Sequence, residues 1–266
     1  MLKVRNLTVQ YGDKKPVVKN FNLSVKKSEI IGIVGKKRNC LFRWNQTTII
    51  KSIIGALSYN SKILSGSITL DGEELLEYTG ETLKKNRGKN IAMIFQDCRN
   101  TLNPIRKIGS QYIEYIQYHL NCSKKEARRK AESMLRKMKL PDPQNVMMSY
   151  PHQLSGGMCQ RIGIAMAMTF NPKILLADEP TSALDVTTQA QIVQELINLR
   201  DVYETSIIIV THNLGVAAYM SDRIIVMKDG DVVEEGIPKE ILNFPQSKYT
   251  KLLLDSVPRL EERHAV

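Results

Sequence analysis

The chain contains no run of apolar residues approaching the ~20 that a membrane-spanning helix needs, and its opening MLKVRNLTVQ has no signal-peptide apolar region. Both absences lead to the expectation of a cytosolic chain that neither spans a bilayer nor is exported. Cysteine is sparse: Cys40, Cys98, Cys122 and Cys159 are scattered without a C-x-x-C pair, which argues against a zinc site and against a disulfide framework. Acidic residues are outnumbered, 27 against 38 basic ones, which leaves a formal net charge of +11 over 266 residues. That balance suits nucleic acid, an anionic membrane face or nucleotide phosphates, and charge alone does not choose among them. The length suffices for a full core, either one large domain or a core with an inserted subdomain.

What is present is concentrated between Tyr150 and Asp185. Ile174-Leu175-Leu176-Ala177 is apolar without alternation, as in a strand buried on both faces of a parallel sheet. It ends in Asp178-Glu179, and open α/β sheets bind ligands beyond the carboxyl ends of their strands. There Asp178 is suited to hold Mg²⁺ and Glu179 to orient a water. Upstream, Leu154-Ser155-Gly156-Gly157-Met158 precedes a helical run through Ile162, Ala165, Met166 and Met168. The free N–H groups and positive dipole end of such a helix favour phosphate, and glycines permit close backbone approach. Ser155 as an ordinary N-cap, with Gly156-Gly157 as a turn, is the plainer alternative.

LSGGMCQR, then ILLADEP, then SALD resembles the ATP-binding cassette of ABC transporters, with signature motif, Walker B strand and D-loop in order. The resemblance implies a P-loop NTPase α/β cassette with an antiparallel β subdomain and an inserted helical subdomain. It also implies a head-to-tail pair of cassettes, in which the signature of one closes over ATP held by the other. Asp185, in the D-loop position, is equally placed to cap the helix containing Ile192, Val193, Leu196 and Ile197.

From the N-terminus, residues 2–9 and 17–25 read as strands of an antiparallel edge sheet around the turn Gly12 to Lys15. Tyr11, between them, matches the aromatic residue on which cassettes stack adenine; a half-buried strand aromatic is the alternative. Ile30 to Val34 is a buried strand ending at Gly35, where the family carries its Walker A loop, G-x-x-x-x-G-K-[ST]. Here the chain departs from the pattern. From Gly35, Thr47 is the thirteenth residue where the motif needs its hydroxyl at the eighth, so five residues are extra. Counted back from the following helix, expected over 49–57, Thr47 takes the Mg²⁺-binding hydroxyl position with Thr48 beside it. Gln46 then takes the lysine position and Asn45 that of the last glycine. A Gln supplies no charge to a terminal phosphate, and losing one charge-assisted hydrogen bond costs roughly 1.5–3 kcal/mol, about ten- to a hundredfold in affinity. Lys36, Lys37, Arg38 and Arg43 add positive charge in the same segment, which also holds the only tryptophan, Trp44.

Ser65 to Glu74 reads as a strand with an Asp71-Gly72 turn, and 90–95 as a buried strand ending at Gln96. Gln96 resembles the Q-loop glutamine that reaches Mg²⁺ and the attacking water, and Gln96 to Pro104 looks like the Q-loop of the oligopeptide and nickel importer subfamily. Residues 105–148 turn helical, with Ser123 to Glu126 a capping box. The basic side of that helix, Lys124, Arg128, Arg129, Arg136 and Lys137, reads as a solvated face, with membrane-proximal contact the sharper alternative. His212, after the strand Ile207 to Val210, matches the switch histidine that contacts the γ-phosphate. Arg223 to Val233 reads as a closing hairpin, and Phe244 to Pro258 resembles the C-terminal extension of the same importers.

The resemblance thus implies one cassette over 1–266: an α/β core with antiparallel subdomain (1–96 and 171–240), a helical subdomain (97–170) and a C-terminal extension (241–266). Glu179, His212 and Gln96 would be catalytic; Thr47, Gln96 and Asp178 would serve Mg²⁺. Tyr11, Gly35, Thr47, Thr48, Ser155, Gly156, Gly157 and Asp185 would contact ATP. The implied partners are membrane permease subunits, a second ABC ATPase subunit and an extracytoplasmic substrate-binding protein, at the cytoplasmic face of the membrane and without nucleic acid. The implied work is import of peptides or nickel. Two alternatives stand beside it: a cassette deficient in ATP binding that lends only its signature to a competent partner, and a cassette protein acting on ribosomes or DNA.

Overall fold

A computed structural model describes residues 1–35 and 45–255. Its frame is two sheets. In the first, β1 (Leu2–Tyr11) runs antiparallel between β2 (Val18–Val25) and β4 (Ser61–Leu70), and the short β5 (Glu73–Glu74) closes the edge. In spatial order the second consists of β10 (Asp231–Gly236), β9 (Arg223–Lys228), β3 (Ile30–Val34), β8 (Ser206–Thr211), β7 (Ile174–Asp178) and β6 (Ile91–Ile94). β10 is antiparallel to β9, and every other neighbouring pair is parallel.

Every residue of β3, β7 and β8 is buried, which is why these strands read as unbroken apolar runs. Alternate side chains leave the sheet on opposite faces. Ile30, Leu175, Ala177, Ile207 and Ile209 join a core with α4 (Ile108–His119), α5 (Lys124–Lys137), α7 (Gly156–Met168) and α8 (Val186–Tyr203). Ile31, Ile33, Leu176, Ile208 and Val210 pack instead with α1 (Asn45–Ile53) and the antiparallel sheet. A third cluster sets Val34, Ile224 and Val226 against α9 (Leu214–Met220), α10 (Pro238–Asn243) and α11 (Lys248–Asp255). Among the described residues the remaining α-helices are α2 (Gly80–Asn86), α3 (Cys98–Thr101) and α6 (Pro143–Met148).

Local signals act where the sequence carries them. Ser123 and Glu126 form the reciprocal capping box that opens α5, whose apolar face buries Ala127, Ala131, Met134 and Leu135 while the named basic side chains stay exposed. Asp71-Gly72 and Asp229-Gly230 both have positive φ at each central residue, the conformation required by tight hairpins.

The bounds of β1, β4 and α1 differ from expectation. β1 extends through Tyr11 and β4 begins at Ser61, because Val9 pairs with Ile63 and Tyr11 with Ser61 beyond an irregularity in the ladder. The helix expected over 49–57 starts at Asn45 and stops at Ile53. Gly55, at φ 69°, ends it: Ala56 N–H donates to Lys51 O (2.8 Å) and Gly55 N–H to Ser52 O (3.1 Å), the double closure of a Schellman motif.

At the ladder irregularity, Asn6 and Leu7 oppose the single residue Gly66. Gly66 has φ +110°, and a Cβ there would fall 2.6 Å from Leu7 Cα and 2.7 Å from Arg5 O. Gly66→Ala is therefore expected to destabilise by about 2–4 kcal/mol through combined strain and overlap. Gly12→Asn, at φ +54° with open space around the Cβ position, should be close to neutral. Thermal melting of the two variants checks the contrast.

Candidate functional site

The parallel register brings four strand ends level. Val34 pairs with Thr211, Asp178 with Val210, and Ile94 with Ala177. Gly35, His212, Glu179 and Gln96 follow just beyond those ends, on one rim of the sheet.

Thr47, in the first turn of α1, donates its hydroxyl to Asp178 Oδ1 at 2.8 Å, and both residues are buried. Beside it the hydroxyls of Thr48 and Tyr11 lie 3.2 Å apart, so the end of β1 is tied to the start of α1. Glu179 is buried in a left-handed conformation (φ 47°), which few long side chains adopt. Its N–H donates to Val210 O at 2.8 Å, and its carbonyl accepts from both the N–H and the hydroxyl of Ser182 at 3.2 Å. The turn aims the carboxylate along the rim. His212 Nδ1 lies 3.2 Å and Gln96 Nε2 3.5 Å from the same oxygen, Glu179 Oε2. Because the His212 side chain is half exposed and that of Glu179 is buried, the pair faces solvent from the imidazole side.

These residues fit Mg²⁺ and do not fit a caged metal. Asp178 and Thr47 offer adjacent hard oxygens, and among the described residues no group of three or more His, Cys, Asp and Glu stands close enough to enclose an ion. Mg²⁺ is commonly held in this way, by one or two side chains with substrate phosphates and water completing the shell.

Gly35 is buried, and a Cβ added to it would overlap the Gln46 amide and the Met227 carbonyl. The side chain at the lysine position of the motif is thus folded against the end of β3. The departure from the Walker A pattern over Lys36 to Trp44, including Lys36, Lys37, Arg38 and Arg43, lies outside the described residues.

A second constellation stands apart from the first. Ser155 caps α7, its hydroxyl accepting from Met158 N–H at 3.2 Å. Asp185 caps α8: Thr188 N–H donates to its Oδ1 at 2.9 Å and the Thr188 hydroxyl to its Oδ2 at 2.7 Å. The Thr188 hydroxyl first, and then the backbone N–H, hold the Asp185 carboxyl below the usual range. Both helices therefore begin with a side-chain cap. A Cβ on Gly157 would come within 2.7 Å of Thr188 Cγ2, while one on Gly156 would sit 3.7 Å from Leu184 Cδ2. Glycine at 157 is thus what lets the two helix starts approach each other. Among the described residues no hydrogen bond joins Ser155, Gly156, Gly157 or Asp185 to the cluster at Asp178 and Glu179.

Two features were not apparent from the sequence. Thr188 mediates the approach of the two helix starts, yet it looks like an ordinary first-turn residue. A groove of about 520 Å³ opens beside Gln96, lined by Phe95, Cys98, Tyr115, Tyr118, His119 and Met166 among others. Of its lining residues, Tyr115 and His119 pack on each other and on Phe170, with ring centroids 5.1–5.6 Å apart. Only the helical spacing of Tyr115, Tyr118 and His119 on α4 hinted at such a surface.

A family model described as ABC transporter matches residues 18–182. The chain is 39% identical over 265 residues to the oligopeptide transport ATP-binding protein AppD of Bacillus subtilis, covering 98% of this chain and 79% of that one. It is 42% identical to the dipeptide transport ATP-binding protein DppD of the same organism (98% and 78%) and 36% identical to DppD of Escherichia coli (98% and 80%). Among solved structures, a dimeric ATP-binding cassette in a post-hydrolysis state bound to ADP and Pi superposes with TM-score 0.76 at 30% identity, over 90% of this chain and 99% of that one. A Clostridium perfringens protein that is part of an ABC transporter complex gives 0.75 at 27% identity, over 90% and 89%.

Proposed function

The chain belongs to the ABC transporter family, and on that premise we propose that it is an ATP-binding subunit coupling ATP binding and hydrolysis to uptake of peptides through separate permease subunits. The observation that carries this reading is the division of the candidate residues into two constellations between which, among the described residues, no hydrogen bond runs. Thr47, Asp178, Gln96, Glu179 and His212 form one half of a nucleotide site; Ser155, Gly156, Gly157 and Asp185 form the other. Two copies or relatives arranged head to tail bring unlike halves together, and one of the superposable cassettes is itself a dimer bound to ADP and Pi.

Within the first half, Thr47 and Asp178 would hold Mg²⁺, with Gln96 facing the same space. When bound, the ion supplies positive charge that offsets the charge developing on the phosphate oxygens. Glu179 accepts a hydrogen bond from the attacking water and fixes its direction. His212 and Gln96 hold the Glu179 carboxylate in place, and His212 reaches from there toward the terminal phosphate. Tyr11, anchored to Thr48, offers its ring to adenine. From the partner's side, the Ser155 hydroxyl and the Gly156 and Gly157 N–H groups reach the phosphates of the nucleotide held opposite.

Among the described residues no helix is long and apolar enough to cross a membrane. The relatives are named as peptide transport ATP-binding proteins, and such systems imply permease partners. The groove suits a permease segment: one seated there would bear on Phe95, the residue before Gln96, and Gln96 contacts Glu179. This setting does not favour a cassette acting on ribosomes or DNA. Gln46 favours one refinement, in which the chain's own phosphate loop is the weaker of the two in the pair.

Tagged chain extracted from its native membrane is expected to carry permease subunits, a second ABC ATPase and the associated extracytoplasmic substrate-binding protein. Recovery with ribosomes or DNA alone would refute the transport role. A second measurement addresses the loop. Replacing Lys36 through Gln46 by Glu-Ser-Gly-Ser-Gly-Lys, with Gly35 and Thr47 kept, restores the eight-residue motif. The chain as it stands should bind Mg-ATP weakly, and the repaired chain at least ~1.5–3 kcal/mol more tightly, about ten- to a hundredfold in affinity. Calorimetric titration with a non-hydrolysable analogue measures both. Equal, tight binding by the two would show that the longer segment makes a working phosphate cradle.

A further inference from the structure

One part-buried ion pair joins the two helices of the second constellation and has no part in the chemistry described above. Arg161, on α7, donates its Nε to both carboxylate oxygens of Glu195 on α8, at 3.0 and 3.2 Å. Its Nη2 lies 2.9 Å from Glu195 Oε1 and donates to Gln191 Oε1, also at 2.9 Å. The two side chains are only 18% and 9% exposed, and the neighbours of Glu195 along α8, Ile192, Leu196 and Leu199, are buried apolar residues. Burying a carboxylate there carries a desolvation cost, and a buried pair commonly adds no stability over two apolar side chains of similar volume. A forked guanidinium on a carboxylate does supply direction, because it fixes rotation and spacing where apolar surfaces tolerate sliding.

That direction is applied at an informative place. One turn nearer the helix starts, Gly157 meets Thr188, and Thr188 is bonded twice to Asp185. Gly157 and Arg161 are neighbours on one face of α7; Thr188, Gln191 and Glu195 lie along one face of α8. The two contacts together define the line along which the helices meet, and so the spacing between the caps Ser155 and Asp185.

We propose that Arg161 and Glu195 are positioning residues that lock α7 to α8, so that the Ser155 and Asp185 ends are presented to the partner cassette as one rigid surface. This rests on the reading that Ser155 serves the partner's nucleotide. The pair acts through Ser155 and Asp185 and touches no substrate.

The test uses the chain assembled with its partner ATPase and permease, with steady-state ATP hydrolysis and thermal melting as readouts. Arg161→Met with Glu195→Leu removes the charges together and keeps the volume. The doubly substituted assembly should melt at or above the unmodified temperature, yet its kcat should fall about ten- to a hundredfold, the cost of a misplaced group, with KM little changed. Arg161→Lys, which keeps the charge and loses the fork, should lower kcat less. An unmodified kcat in the double variant, while Ser155→Arg abolishes hydrolysis, would overturn the positioning role and leave the function standing. A kcat that falls only in step with melting temperature would overturn it too. Unchanged hydrolysis in Ser155→Arg would remove the premise, and the proposal with it. Should the double variant fail to fold, an unmodified kcat in Arg161→Lys is the contradicting result.

Discussion

Parallel pairing of β3, β8, β7 and β6 is the constraint on which the remaining structure depends. Since Val34 pairs with Thr211, Asp178 with Val210 and Ile94 with Ala177, the residues that follow each strand emerge on one rim whatever their separation along the chain. A slip of one residue in a strand buried on both faces would exchange the apolar set packed on the helices with the set packed on α1 and the antiparallel sheet. Both sets are apolar, so volume and ladder hydrogen bonds must hold the register. The pairing of Thr47 with Asp178 and of Glu179 N–H with Val210 O adds polar checks at the rim itself.

The rim is also where local rules are broken. Glu179 combines a left-handed backbone with a buried carboxylate, two conditions that each raise the energy of the folded state. Val210 and Ser182 hold the backbone; His212 and Gln96 satisfy one carboxylate oxygen. Strain concentrated where the proposed mechanism aims a water is consistent with a pre-organised site, and Val210, His212, Ser182 and Gln96 reach Glu179 from the ends of β8, β7 and β6 or the turns that follow them. A shift in Gln96, beside the groove, would therefore be felt at the carboxylate.

Much of this was legible in the residues. Unbroken apolar runs identified β3, β7 and β8, and their terminal polar residues identified the rim. Ser123 to Glu126, Ser155 and Asp185 cap the helices they were expected to cap, and Asp71-Gly72 makes the expected turn. The illegible parts are those set by distant pairing. Tyr11 was read between strands because the ladder that captures it runs through Ser61 to Ile63, fifty residues away in the chain. The end of α1 was misjudged by two turn-closing hydrogen bonds at Gly55, a glycine with apolar neighbours on both sides. Arg161 and Glu195 look like surface charges on two amphipathic helices until the helices are laid together. The lengthened segment after Gly35 was plain in the sequence as a departure from the motif, and its spacing alone carries no geometry.

In the proposed head-to-tail pair, Ser155 of this chain meets nucleotide held by the partner cassette. Disulfide trapping tests it most directly: Ser155→Cys in this chain is paired with a single cysteine placed in the glycine-rich phosphate loop of the partner, in the assembled transporter. A cross-link that forms with Mg-ATP and is lost on chelation or with ADP, and is absent when Ser155 is retained, is the predicted result. A transporter that turns over ATP without that cross-link, or one that forms it equally without nucleotide, would rule out a head-to-tail site completed by Ser155.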